Sequence, residues 1–171
     1  MREYIDRHYS ADDYRAELAR LISEYKKVSK HDLLIYVAAM EKGEFPIAMD
    51  MTDSYIISDL LPKKKTRKSL DVYIETPGGS GEAAEVIADI FRSKYAEVNF
   101  IVSGEAKSAG TILALSGDNI VMTETGSLGP IDAQCSIGRK VVSAYDYLDW
   151  IHKKRERTAS FTFRCNNDCP N

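Results

Sequence analysis

Cysteine is scarce in this chain, and the few cysteines stand near its end. They are Cys135, Cys165 and Cys169. An odd number placed so late cannot form the even framework that staples small secreted domains. The last two are also too few for a structural zinc site, which normally takes four ligands. The sequence therefore predicts a protein of the reducing cytoplasm without a metal site.

Long apolar runs are also missing. No stretch approaches the roughly 20 apolar residues that cross a membrane. The opening letters MREYIDRHYSADD lack the apolar core of a signal peptide. The formal net charge is only −3, which argues against a general nucleic-acid binder. With 171 residues, 44% of them hydrophobic, the chain suits one soluble globular domain that buries roughly two thirds of its unfolded surface.

Two strand–turn–helix patterns occupy the middle of the chain. Residues 70–75 and 98–103 are short apolar runs typical of buried strands. The letters TPGG at 76–79 follow the first run, and AKSAG at 106–110 follow the second. Apolar residues then recur at helical spacing in 83–90 and again in 111–115. An earlier strand in 32–40 and a short helix capped by Met51-Thr52-Asp53 extend this order toward the start of the chain.

Ser108 stands where the second of these helices begins. A serine at this place lies near the positive end of the helix dipole and beside unpaired backbone amides. That environment suits the nucleophile of an acyl-transfer reaction, which also needs a base and donors for the developing oxyanion. The alternative is that Ser108 is only a helix N-cap, and that Gly78-Gly79 is only a turn after Pro77.

The segments TPGGSGEAAEVIADIF and IVSGEAKSAGTILALSGDNIVMTETGSLGPIDAQ resemble the Clp protease proteolytic subunit/crotonase superfamily. They are most similar to its serine dehydrogenase proteinase (SDH proteinase) branch, with signal peptide peptidase A-like proteins as more distant relatives. The resemblance covers residues 32–150. It implies an α/β fold, a ClpP/crotonase-like spiral of repeated ββα units that looks C-terminally shortened, whereas the sequence alone equally allows an ordinary βαβ sheet.

The resemblance also implies roles for single residues. Ser108 takes the place of the nucleophile, and the amides of Gly79 and Ala109 take the place of the oxyanion hole. Gly79 and Ser108 are 29 positions apart, a spacing that fits the family. Asp132, in the GPID turn, is a candidate for orienting the site or accepting a proton, and capping that turn is its alternative role.

The general base is the part of the site that the sequence leaves open. No histidine follows Ser108 where Clp proteolytic subunits have one, so a Ser-His-Asp triad is not expected. The resemblance to the signal peptide peptidase A-like relatives implies a Ser-Lys dyad instead. We expect Lys140 to begin an amphipathic helix that runs through Trp150. The resemblance makes Lys140 the first candidate, because this place is similar to that of the helix that carries the lysine of the peptidase relatives. Lys107 is the second, although neighbouring residues on a helix point about 100° apart. The remaining alternatives are no base, or a base from another chain.

The chain divides into three parts in this interpretation. Residues 1–31 form an N-terminal helical arm, with a helix in 10–27 and a capping box of Ser10 and Asp13. Residues 32–150 form the ClpP/crotonase-like core. Residues 151–171 form a basic, then Cys/Asn-rich tail, which we expect to lie outside the fold. The lysine-rich stretch 62–68 is expected to be a solvated loop, with a docking site as the minor alternative.

Three function classes compete. The first is a cytoplasmic serine peptidase that acts on a polypeptide, without cofactors and as a homo-oligomer. The second is a catalytically inactive family member or fragment that acts as an assembly or regulatory subunit. The third is a crotonase-type acyl-CoA enzyme, which uses a similar oxyanion geometry without a serine nucleophile. Ser108 favours the first class.

Overall fold

The computed structural model describes residues 9–39, 47–66, 68–132, 134–138 and 140–167. It divides into two compact units, Met1–Pro130 and Ile131–Asn171. Its helices are α1 (Ala11–Ser29), α2 (Met51–Leu60), α3 (Gly81–Lys94), α4 (Ala109–Leu115) and α5 (Ala144–Asn167). Its strands are β1 (Asp32–Val37), β2 (Ser69–Glu75), β3 (Glu97–Val102), β4 (Glu105–Ala106), β5 (Asn119–Met122), β6 (Ser127–Leu128), β7 (Gln134–Ile137) and β8 (Lys140–Ser143).

A parallel sheet forms the centre of the first unit. Its strand order is β1-β2-β3-β5, and each neighbouring pair is parallel. A second, two-stranded parallel sheet pairs β4 with β6. The mixed α/β class with a parallel sheet is therefore confirmed. Parallel strands need crossover connections, and α2 and α3 provide them between β1, β2 and β3.

The core lies between one face of this sheet and the helices. Alternate residues of β2, namely Leu70, Val72 and Ile74, are at most 1% exposed. Ile87 and Phe91 of α3 are buried as well, and the Phe91 ring lies 6.3 Å from that of Phe100. The helical spacing in 83–90 predicted α3 because side chains four residues apart share one helix face.

The helix starts depend on acidic and hydroxyl side chains. Ser10 and Asp13 form the predicted capping box at the start of α1. The cap of α2 is Asp50, and not Met51-Thr52-Asp53 as the sequence indicated. Asp50 accepts the amide of Thr52 at 2.7 Å, and Asp53 accepts the amide of Asp50 at 3.0 Å. An acid at each of the two positions satisfies amides that would otherwise stay unpaired.

A buried carboxylate joins α1 to the sheet on the face opposite the core. Asp71 of β2 is 4% exposed. Its carboxylate accepts hydrogen bonds from the Tyr25 hydroxyl at 2.6 Å, from the side-chain amide of Asn99 at 3.0 Å and from His31 Nδ1 at 2.9 Å. Burial alone would raise the pKa of Asp71, but these three hydrogen bonds hold it below its ordinary value. Burial, together with the bond to Asp71, raises the pKa of Tyr25 to about 12, so Tyr25 remains a donor.

We expect Asp71→Asn to lower the free energy of unfolding at pH 7 by about 2 kcal/mol, because hydrogen bonds to a charged group contribute roughly 1.5–3 kcal/mol each. The folded pKa is depressed, so this stabilisation is present above the unfolded pKa of about 3.9 and is lost as pH falls through the folded value. Urea titrations between pH 7 and 2.5 measure it. Asp59→Asn, at an exposed position of α2, is the control. Parallel pH profiles for wild type and Asp71→Asn would contradict the expectation.

The second unit consists of a hairpin and a long helix. β7 and β8 pair antiparallel, with Ile137 opposite Lys140. Gly138 has φ +63°, the left-handed conformation that tight hairpin turns require. Lys140 therefore opens a strand, and the prediction that it begins a helix is wrong. The β-branched pair Val141-Val142 favours a strand, and α5 starts at Ala144.

Helix α5 continues to Asn167, well into the stretch that was predicted as a tail. The structure describes the backbone of Lys140 but not its side chain. Among the described residues, none of the helices is both long and apolar enough to cross a membrane.

Candidate active site

The two turns singled out in the sequence lie side by side. β2 and β3 are neighbouring parallel strands, so their carboxyl ends meet at one edge of the sheet. Beyond them the chain segments stay paired through a bridge between Thr76 and Ala106. Thr76 N donates to Glu105 O at 2.7 Å, and Lys107 N donates to Thr76 O at 3.0 Å. These hydrogen bonds hold the glycine turn (76–79) next to the serine turn (106–110).

Gly78 makes the closest approach to the serine turn. It is buried, with φ +98°, a conformation that L side chains rarely adopt. A methyl group at this position would lie 2.5 Å from Lys107 O and 2.7 Å from Ser108 Cβ. Only a glycine lets the two turns pack this closely.

Gly79 faces another segment. It is exposed, and it bridges to Met49 just before α2. Met49 N donates to Gly78 O at 2.8 Å, and Ser80 N donates to Met49 O at 2.8 Å. The amide of Gly79 itself makes no hydrogen bond within the described part of the chain. Gly79 thus lies at the same edge of the sheet as Ser108, and no described group occupies its amide.

Ser108 has a strained backbone. Its φ of +49° and ψ of −117° lie in a region that costs a residue other than glycine roughly 1–3 kcal/mol. Its hydroxyl makes no capping bond to α4, so the N-cap interpretation lacks the hydrogen bond that defines it. The turn is held by backbone contacts instead, since Ser108 O accepts Thr111 N at 2.9 Å and Ile112 N at 3.1 Å.

The start of α4 packs tightly beneath Ser108. Ala109 is 1% exposed, and its amide has no partner among the residues that the structure describes. A methyl group at Gly110 would lie 2.4 Å from Thr76 Cγ2, so glycine is needed for the helix to reach the first turn. Gly110 N donates to Lys107 O at 2.8 Å.

Lys107 points away from this turn, toward β6. Its Nζ donates to Ser127 Oγ at 2.9 Å and to Leu128 O at 3.5 Å. Its stem covers Gly129, where a methyl group would lie 2.5 Å from Lys107 Cδ. In the described part of the chain, no hydrogen bond joins Lys107 to Ser108.

The sequence of the chain matches a known protein family. A family model described as ClpP-like SDH-type serine proteinase matches residues 44–159, which is more than half of the chain. The chain belongs to this family. The assignment confirms the resemblance read from the two glycine- and serine-containing segments.

Individual relatives cover smaller parts of the chain. It is 45% identical over 67 residues to an uncharacterised protein of Methanocaldococcus jannaschii, covering 39% of this chain and 23% of that protein. It is 40% identical over 73 residues to the ATP-dependent Clp protease proteolytic subunit of Streptococcus suis, covering 42% of this chain and 37% of the subunit. The chain thus spans less than two fifths of the length of these curated relatives.

Among solved structures, the chain is similar to a point mutant of ClpP1 from Listeria monocytogenes. The TM-score is 0.42 at 18% identity, covering 62% of this chain and 56% of that chain.

Two further residues named from the sequence lie outside the first unit. Asp132 is exposed and belongs to the second unit with Lys140. Within the described residues, its carboxylate makes no hydrogen bond. The roles given to Asp132 and Lys140 in this SDH-type proteinase stay predictions. No group of three or more His, Cys, Asp or Glu side chains suited to a metal ion occurs in the part of the chain that the structure describes.

Sequence reasoning missed two threonines that build the site. Thr76 is fully buried, and its Oγ1 accepts the amide of Gly78 at 3.1 Å. Thr111 is 5% exposed and bonds to both Ala106 and Gly129. The available signal was a threonine within or beside each conspicuous turn, because a hydroxyl in an apolar setting needs a partner.

Proposed function

We propose that this SDH-type proteinase chain carries a serine peptidase site with Ser108 as its nucleophile. One observation carries the proposal: Ser108 has a strained, positive-φ backbone at a strand-to-helix turn, and its hydroxyl makes no capping bond. Strain of this size persists only where the surroundings hold it, and it concentrates at functional sites. The adjoining glycine turn lets a substrate carbonyl come close to the backbone.

The backbone amides of Gly79 and Ala109 are the proposed oxyanion donors. In peptide hydrolysis, Ser108 Oγ attacks the carbonyl carbon and gives its proton to a base, while the carbonyl oxygen becomes anionic. Two amides aimed at that oxygen stabilise the charge as it develops. Gly79 and Ala109 suit this role because their amides have no partner in the described part of the chain. The base then protonates the leaving amine, and water releases the acyl group from Ser108.

Lys140 remains the proposed base, ahead of Lys107. The ammonium of Lys107 is engaged by Ser127 and Leu128, which argues for a structural role. A lysine base must be neutral when it accepts the proton, and burial that disfavours its charged form makes this possible near neutral pH. The proposed role of Asp132 is to orient the site.

We expect Lys140→Ala to abolish labelling of Ser108 by a fluorophosphonate, because an unactivated serine hydroxyl is a weak nucleophile. Lys107→Ala is the comparison, and we expect it to retain most of the labelling. Rates measured from pH 6 to 10 should rise with deprotonation of the base. Labelling that persists in Lys140→Ala but disappears in Lys107→Ala would transfer the role to Lys107.

The proposed substrate is a polypeptide, and the proposed assembly is a cytoplasmic homo-oligomer. Support comes from the Streptococcus suis relative, which is named as the proteolytic subunit of a Clp protease. The proteinase family also favours peptide hydrolysis over the acyl-CoA chemistry of crotonases.

A second candidate is an inactive assembly or regulatory subunit. One observation favours it: among the described residues, no His, Lys or Asp side chain makes a hydrogen bond to Ser108. Incubation with a fluorophosphonate, followed by peptide mass spectrometry, separates the two functions. Modification of Ser108 supports the peptidase, and an unmodified Ser108 under conditions that label a reference serine hydrolase supports the inactive subunit.

A further inference from the structure

Thr111 connects three segments around the serine turn. It lies in α4, three residues after Ser108, and is 5% exposed. Its hydroxyl donates to Ala106 O at 2.6 Å and accepts Gly129 N at 2.9 Å, and Gly129 O lies 3.1 Å away. A single side chain thus joins β4, α4 and the turn that follows β6.

This bonding differs from the usual behaviour of a helical hydroxyl. Serine and threonine in helices normally bond back to a carbonyl three or four residues earlier. Ser116, at the end of the same helix, does so with Leu113 O at 2.6 Å. Thr111 instead reaches Ala106, five residues back and outside the helix, and an amide 18 residues ahead. Its hydroxyl therefore contributes to tertiary structure, whereas that of Ser116 is local.

The contacts of Thr111 enclose the strained residue. Ala106 lies two residues before Ser108 and Thr111 three residues after it, so the bond between them closes the chain around Ser108. The β4–β6 sheet has only two residue pairs, Glu105 with Ser127 and Ala106 with Leu128. The hydrogen bond from Gly129 N to the Thr111 hydroxyl lies directly after these pairs and adds a further contact between the two segments.

We propose that Thr111 is a positioning residue, which keeps Ser108 in its positive-φ conformation and thereby aims the Ser108 hydroxyl. This inference rests on the proposed peptidase function. Removal of the Thr111 hydroxyl takes one hydrogen-bond partner from the buried Ala106 O and one from the partly buried Gly129 N, and the loss of a partner is costly for such groups. Ser108 can then relax toward an ordinary backbone conformation, which changes the direction of its hydroxyl.

The test compares three variants by their rate of fluorophosphonate labelling at Ser108. Thr111→Val keeps the shape but loses the hydroxyl, and we expect labelling to slow about 10- to 100-fold, as for a small misplacement of a reacting group. Thr111→Ser keeps the hydroxyl and should restore the rate to within about threefold. Ser116→Ala removes the local hydroxyl bond of the same helix and should leave the rate unchanged. Equal rates for Thr111→Val and Ser116→Ala, or failure of Thr111→Ser to recover, would overturn the proposal.

A readout that needs no reactivity separates this inference from the peptidase proposal. If wild type does not label, the peptidase proposal fails, and the carbon chemical shifts of Ser108 still report its backbone conformation. We expect Thr111→Val, but not Ser116→Ala, to move the Ser108 Cα and Cβ resonances toward ordinary helix-start values. Unmoved Ser108 resonances in Thr111→Val would refute the positioning role whether or not Ser108 reacts.

Discussion

Ser108→Ala is expected to reduce fluorophosphonate labelling and any peptide hydrolysis to background, while the protein stays folded. The substitution removes the only atom proposed to attack the substrate. Alanine at φ +49° bears the same backbone strain as serine, so the free energy of unfolding should change by less than about 0.5 kcal/mol. Labelling is read by intact-protein mass spectrometry, and folding by circular dichroism and urea titration.

Ser108→Gly is the matched variant for this experiment. Glycine adopts positive φ at little cost, so we expect equal loss of labelling together with a gain in stability of about 1 kcal/mol. The pair separates the chemical role of the hydroxyl from the strain of the backbone. Residual labelling at Ser108→Ala equal to that of wild type would exclude Ser108 as the nucleophile.

Gly78→Ala is expected to cause the largest loss of stability. Its φ of +98° costs a residue other than glycine roughly 1–3 kcal/mol. The new methyl group would also press on Lys107 O and Ser108 Cβ at 2.5 and 2.7 Å, and such overpacking costs typically 1–3 kcal/mol. The free energy of unfolding should therefore fall by about 2–6 kcal/mol, a large part of the roughly 5–15 kcal/mol of a typical domain. Urea titration measures it.

Gly81→Ala, three residues further along, is the control for Gly78→Ala. A methyl group there makes only an ordinary contact, 3.9 Å from Ile112 Cδ1. Gly81 is the first residue of α3, and alanine is the better helix former. We expect unchanged or slightly higher stability. A loss at Gly78→Ala no greater than at Gly81→Ala would mean that the two turns do not pack as described.

The parts of the fold that could be predicted are those with local signals. The apolar run before Thr76 and the helical spacing after Ser80 predicted β2 and α3 because their periodicities differ. Ser10 and Asp13 predicted the start of α1 because the capping box lies within four residues. The family resemblance led to the two turns, since TPGG and AKSAG are conspicuous.

The parts that could not be predicted depend on contacts distant in sequence or on competing local preferences. Lys140 precedes two valines, which favour a strand, and an amphipathic stretch, which favours a helix. Lys140 lies in a strand because the hairpin turn at Gly138 pairs its segment with β7. The sequence named Gly79 as an oxyanion donor, and it did not indicate that Gly78 makes the close packing against Ser108. That distinction depends on Met49, which pairs with Gly79 from 30 positions earlier. The hydroxyl of Thr111 could be assigned only once Gly129 was located.

Helix α1 has no buried side chain, yet it is coupled to the centre of the sheet through Asp71. Detachment of α1 together with Lys30 and His31, the two residues that follow it, would leave that carboxylate without two of its three hydrogen-bond partners, Tyr25 and His31. The carboxylate would then bind a proton more readily, so acid favours the detached form. We therefore expect falling pH to favour sub-global opening of α1, which releases an arm while β2, β3 and the turns at their ends can stay in place.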